Sequence, residues 1–91
     1  MIEEAFKTEV AQWADKLGVR PKEVHIRDMS RKWASCSTKG RVTFSTALLD
    51  KPAKFREQVI AHELLHMRYR NHGKLFKAVL KTHISKGHKL V

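Results

Sequence analysis

Residues 62–66 read His-Glu-Leu-Leu-His, and two histidines four positions apart with a glutamate directly after the first form the pattern by which a helix holds a zinc ion. On a helix this spacing puts both imidazoles on one face, about one turn apart, close enough to ligate a single ion. Glu63 is rotated from His62 by roughly 100°. That rotation keeps its carboxylate out of the ligand set yet near a water on the metal, where a carboxylate can serve as general base. Zinc lowers the pKa of such a water to about 7, so a carboxylate can take its proton at neutral pH. With six His and six Glu in the chain, the chance expectation for one such motif is on the order of 0.02, so the match carries information.

A hydrolytic zinc takes a third protein ligand. No Asp or Glu follows Glu63, so a downstream ligand must be histidine, which leaves His72, His83 and His88. His72 is favoured because it directly follows the end of the helix that carries the motif, where Asn71 and Gly73 let the chain fold back. Three neutral imidazoles leave such a site a strong Lewis acid toward a carbonyl oxygen. Tyr69 and Arg70 are candidates to stabilise a developing oxyanion. Cys36 reads as a small packed hydrophobe, with its thiol as a lesser candidate for a fourth ligand.

The elements that must position these residues follow from periodicity. Ile2, Phe6, Val10, Trp13 and Leu17 draw one apolar stripe along a helix that Gly18 can end in a left-handed cap. Val24 and Ile26 alternate with polar neighbours and suggest a short strand. Further extended runs cover about 32–36 and 41–45, joined by a hairpin turn over 37–40, with Val42 and Phe44 on one face. Asp50 and Pro52 are helix-start signals, Asp50 as a carboxylate that accepts backbone N–H bonds. The helix they open should run from about 53 to 70, buried on most sides in its middle, with the histidine pair inside it. Asn71, His72 and Gly73 break it. Leu75, Phe76, Val79, Leu80 and His83 then mark a final amphipathic helix. Trp13 and Trp33 read as core anchors.

These elements make an α+β domain, and 91 residues are enough for one domain, 1–91, of modest stability. The formal charge is +10 and lies mostly in the half with the motif: 1–50 carries 9 Lys/Arg against 7 Asp/Glu, and 51–91 carries 10 against 2. Such a field suits nucleic acid or ribosomes as possible partners of the basic C-terminal half, and Lys74, Lys77 and Lys81 line one side of the last helix. A single cysteine, Cys36, excludes an internal disulfide, and no signal peptide is recognisable, which suggests a reducing, cytoplasmic setting. No stretch approaches the roughly 20 apolar residues needed to cross a bilayer.

The run Trp33-Ala34-Ser35-Cys36-Ser37, then Gly40-Arg41-Val42, then Val59 to His66, then Asn71-His72-Gly73 and Phe76 resembles the YgjP-like predicted zinc metallopeptidases, relatives of the WLM and SprT-like zincins. The chain departs from the family's usual pattern at Ala34 and Ser45, where glycine and asparagine are common. The resemblance implies a minimal zincin-like fold of N-terminal helix, small three-stranded sheet, active-site helix and C-terminal helix. It implies His62, His66 and His72 as zinc ligands, Glu63 as catalytic base and a polypeptide substrate. A zincin fold further implies a strand edge beside the active-site helix on which an extended peptide pairs. The segment Arg41 to Ser45 is the candidate for it, with Arg41, Thr43, Ser45 and Tyr69 as substrate-binding residues. Two alternatives keep the metal: an endoribonuclease built on the same histidines, and a basic nucleic-acid or protein-binding module with structural zinc. Glu63 opposes the first, since it puts negative charge where a phosphate would sit. An open fourth position on the ion opposes the second.

Overall fold

The structure, a computed structural model, describes residues 1–69 and 77–78. Helix α1 spans Glu3–Leu17, strands β1, β2 and β3 span Glu23–Arg27, Ala34–Cys36 and Arg41–Ser45, a 3₁₀ turn spans Thr46–Asp50, and helix α2 spans Ala53–Leu65. Of the final amphipathic helix expected from the sequence only Lys77 and Ala78 are described, and both are helical; the rest of it lies outside the described residues, as do Arg70, His72, His83 and His88.

Helix α1 buries Phe6, Val10, Ala14 and Leu17, so the apolar stripe faces the core. Its first member, Ile2, sits at the N-cap and is exposed. Gly18 ends the helix at φ +70°, ψ +33°, a left-handed geometry that an L side chain adopts only at a cost. Its backbone N–H donates back to the Asp15 carbonyl, and that of Val19 to Ala14.

The three strands form one mixed sheet in the order β1-β3-β2. β3 runs parallel to β1, with Val24 beside Val42 and Ile26 beside Phe44, and antiparallel to β2, with Ala34 beside Phe44 and Cys36 beside Val42. The β2–β3 hairpin closes through Ser37, whose N–H donates to the Arg41 carbonyl at 2.8 Å and whose hydroxyl accepts from the N–H groups of Lys39 and Arg41. Gly40 takes φ +90° there. Strand β3 is therefore the inner strand, with its backbone committed on both sides. The open peptide-binding edge expected at Arg41–Ser45 is not there. Among the described residues β2 is the edge strand next to α2.

The core lies between α1, the sheet and α2. Phe6, Val10, Val42, Phe44, Leu48, Ile60, Leu64 and Leu65 are fully buried, and the rings of Phe6 and Phe44 meet edge to face with centroids 5.3 Å apart, a favoured aromatic geometry. Leu48 reaches this core from the 3₁₀ turn. That turn was not expected: the Ser45 hydroxyl caps it by accepting from the Ala47 N–H at 3.2 Å. Asp50 ends it rather than capping α2, whose N-cap is Pro52 with no side-chain cap. Trp33 is not a core anchor. It is 39% exposed and packs edge-on against Phe55 with its ring centroid 5.0 Å away, while the Lys51 ammonium lies over it. Trp13 is half-buried at the rim of the core.

One ion pair ties α1 to the start of α2. Arg56 donates from Nε to Glu9 Oε1 at 2.9 Å and from Nη2 to Glu9 Oε2 at 3.1 Å, and its Nη1 donates to the Lys51 carbonyl at 2.7 Å. The hydrogen bonds to Glu9 hold the Arg56 guanidinium pKa above its ordinary value.

Candidate metal centre

The middle of α2 buries Gln58, Ile60, Ala61, Leu64 and Leu65, which directs His62, Glu63 and His66 to the remaining, half-buried side. This is the packing expected from the wheel of apolar residues, since a helix clamped on most sides can show functional groups only on the side left open. The His62 and His66 rings lie with centroids 5.0 Å apart and planes inclined by 49°. One ligating atom each from His62, Glu63 and His66 all fall within 4.8 Å of one another. Two nitrogens bound to one zinc at about 2.0–2.1 Å are at most roughly 4 Å apart, so small side-chain rotations bring the imidazoles onto a common ion. Nitrogen and oxygen donors of this kind suit a divalent metal of borderline softness.

The second imidazole is set by the way the helix ends. The expected run to residue 70 stops at Leu65, because the backbone tightens into 3₁₀-type bonds: His66 N–H to Glu63, Met67 N–H to Leu64 and Arg68 N–H to Leu65, at 3.0–3.1 Å. This tighter turn brings the Tyr69 carbonyl to 3.3 Å from His66 Nδ1. A carbonyl can only accept, so Nδ1 is the donor in this contact and Nε2 is the nitrogen that would ligate a metal. Backbone support of this kind fixes both tautomer and orientation of a ligating histidine.

The His-Glu-His group opens into a cleft of about 450 Å³ between α2 and β2, lined by Lys32, Ala34, Ser35, Cys36, His62, Glu63 and His66. Cys36 is half-buried: it packs against the core, as expected, and also lines the cleft. The expected substrate residues lie elsewhere. Arg41 pairs with Glu23 at 3.1 Å on the β1 side, Thr43 is paired with Ser35 and His25 in the sheet, and Ser45 is buried beneath the 3₁₀ turn. Tyr69 meets the site through its backbone carbonyl. Lys32, Ser35 and the edge position of β2 were missed from sequence, because strand order depends on distant pairings that local alternation does not encode.

Residues 1–89 match the model of the YgjP-like metallopeptidase domain. The chain belongs to the YgjP-like metallopeptidase family. It is accordingly a metallopeptidase domain, whose substrates are polypeptides and whose chemistry requires a divalent metal. The fold agrees. The crystal structure of the jannalysin metallopeptidase zymogen of Methanocaldococcus jannaschii superimposes with a TM-score of 0.80 at 26% identity, covering 89% of this chain and 83% of that one. The abylysin zymogen of Pyrococcus abyssi superimposes with a TM-score of 0.75 at 23% identity, over 86% of this chain and 78% of the other, and supports the fold alone. No curated protein sequence matches significantly. Two helices around a small mixed sheet are thus a minimal zincin-like fold, as the sequence implies. No helix among the described residues is long and apolar enough to cross a membrane.

Proposed function

We propose that this YgjP-like domain is a zinc peptidase in which His62 and His66 hold the ion, His72 supplies the third ligand, and Glu63 is the general base. When bound, zinc supplies Lewis acidity: it polarises the scissile carbonyl and makes a water acidic enough to lose a proton near neutral pH. Glu63 accepts that proton on its carboxylate and returns it to the leaving amine nitrogen, the two halves of general acid–base catalysis at an amide. The Tyr69 carbonyl keeps the His66 ring in the ligating tautomer.

The substrate lies extended along the outer edge of β2, pairing through its backbone beside the His-Glu-His group. Arg41, Thr43 and Ser45 serve it indirectly: Thr43 holds Ser35 in register, Arg41 anchors the hairpin end to Glu23, and Ser45 fixes the turn that follows. The observation that carries this reading is the convergence of one ring nitrogen each of His62 and His66 and a Glu63 carboxylate oxygen within 4.8 Å in a cleft whose other wall is a strand edge. We take residues 1–91 as one domain working in the cytoplasm, where a chain with one cysteine keeps its thiol reduced. The basic half from residue 51 offers an auxiliary electrostatic contact to ribosomes or nucleic acid.

The test compares wild type with Glu63→Gln on an unfolded protein substrate, with zinc content measured in both. Loss of cleavage by about 10²-fold or more with metal retained is expected for removal of a general base. Equal cleavage by the two proteins, or absence of stoichiometric zinc in both, would refute the assignment.

A further inference from the structure

The cleft has a charge pattern that the peptidase chemistry does not use. Of the seven residues lining it, Lys32 is the single Lys or Arg and Glu63 the single carboxylate. Among the described residues the Lys32 ammonium makes no ion pair or hydrogen bond. Arg41, paired with Glu23, Arg56, paired with Glu9, and Lys51, over Trp33, are not among the residues lining the cleft.

Lys32 stands two residues before Ala34, where the edge strand begins. A peptide paired along that edge passes one residue every 3.2–3.4 Å or so, and a lysine side chain reaches roughly two residues further. A substrate group within about three residues of the cut bond is therefore within reach of the ammonium.

We infer that Lys32 is a specificity determinant that binds a carboxylate of the substrate, so the domain selects peptides with acidic character close to the scissile bond. The inference rests on the peptidase reading above. The carboxylate has two possible sources, an internal Asp or Glu side chain or the peptide's own C-terminus. Glu63 cannot fill this role, because it is the base and bears the opposite charge. An ion pair in an open cleft is worth a modest factor, so the preference for acidic over neutral peptides should be about fivefold in kcat/KM and should shrink in high salt.

The experiment measures cleavage of matched peptides that carry Glu or Gln at each position within three residues of the cut, each with a free or an amidated C-terminus, by the zinc-loaded full chain. The readout is the ratio of acidic to neutral kcat/KM, which does not depend on the fraction of active protein. Wild type should favour Glu at one position or the free over the amidated terminus, which identifies the source. Lys32→Met should bring that ratio to about 1, and Lys32→Glu should invert it in favour of peptides with Lys at the same position. Cleavage that depends on Glu63 but shows a ratio near 1 in wild type, or a preference that survives both Lys32 variants, overturns this inference alone. Absence of any Glu63-dependent cleavage overturns the peptidase reading and this inference with it.

Discussion

The Glu9–Arg56 pair fixes where the site helix starts, and its removal should be felt across the molecule. Its side chains are 23% and 13% exposed, between an exposed ion pair worth roughly 0.2–1 kcal/mol and a fully buried one whose rupture costs roughly 3–5 kcal/mol. Both carboxylate oxygens are engaged, so Glu9→Gln should lose about 2 kcal/mol. Arg56→Met also strips the charged donor from the Lys51 carbonyl, worth about 1 kcal/mol more. We therefore expect losses near 2 and 3 kcal/mol for the single variants and a coupling of about 1.5 kcal/mol in the double-mutant cycle. Arg56→Lys should rescue little, because an ammonium cannot reproduce the fork.

Urea unfolding followed by the fluorescence of Trp13 and Trp33 measures these values. The midpoint of thermal unfolding should fall by about 10 °C for Glu9→Gln. Because the Arg56 pKa is raised, the guanidinium's share of the pair is complete below its ordinary value and would fade only as pH rises through the folded value. The losses should therefore be flat from neutral to mildly alkaline pH. A coupling below about 0.5 kcal/mol, or equal costs for the two single variants, would refute the view that this is a desolvated clamp.

Three further outcomes follow from the geometry. Gly40→Ala should cost about 1–2 kcal/mol, since the position sits at φ +90° and a Cβ there would approach Lys22 Cγ to 3.2 Å; an unchanged unfolding midpoint would contradict the turn geometry. Adding zinc at about 100 times its Kd should raise stability by about 2.7 kcal/mol, a chelator should reverse it, and both responses should vanish in His62→Ala; a response that survives this substitution would place the ion elsewhere. The Glu23 carboxyl is held below its ordinary value of 4.5 by its hydrogen bonds to His25 and Arg41, so this interaction contributes above that value and is lost as pH falls through the lowered one; carboxyl-detected NMR showing Glu23 titrating at or above 4.5 would contradict the pairing.

Much of this molecule was legible before any coordinates, and the parts that were not share a cause. α1, β3 and the core face of α2 follow from local periodicity, because Phe6, Val10, Val42, Phe44, Ile60 and Leu64 must all leave water together. The His62–Glu63–His66 convergence is equally local, since one helix carries all three. Strand order is a different matter: nothing within Arg41–Ser45 says that Glu23–Arg27 will dock on one side and Ala34–Cys36 on the other. The helix end was misread for a related reason. Residues 66–69 have good helix formers, and the tightening that stops α2 is driven by bonds to Glu63, Leu64 and Leu65 that propensity does not weigh. Trp33 was placed by residue type, and its position follows instead from where β2 sits.

The brevity of β2 bears on self-association. A strand edge able to pair with one partner is open in principle to every other chain in solution, including its own siblings, and such edges seed aggregation. Among the described residues the edge is Ala34–Cys36, flanked in sequence by Arg31 and Lys32 on one side and Lys39 on the other, in a molecule of net charge +10. Two copies brought edge to edge would set these cations against each other, which disfavours a stack.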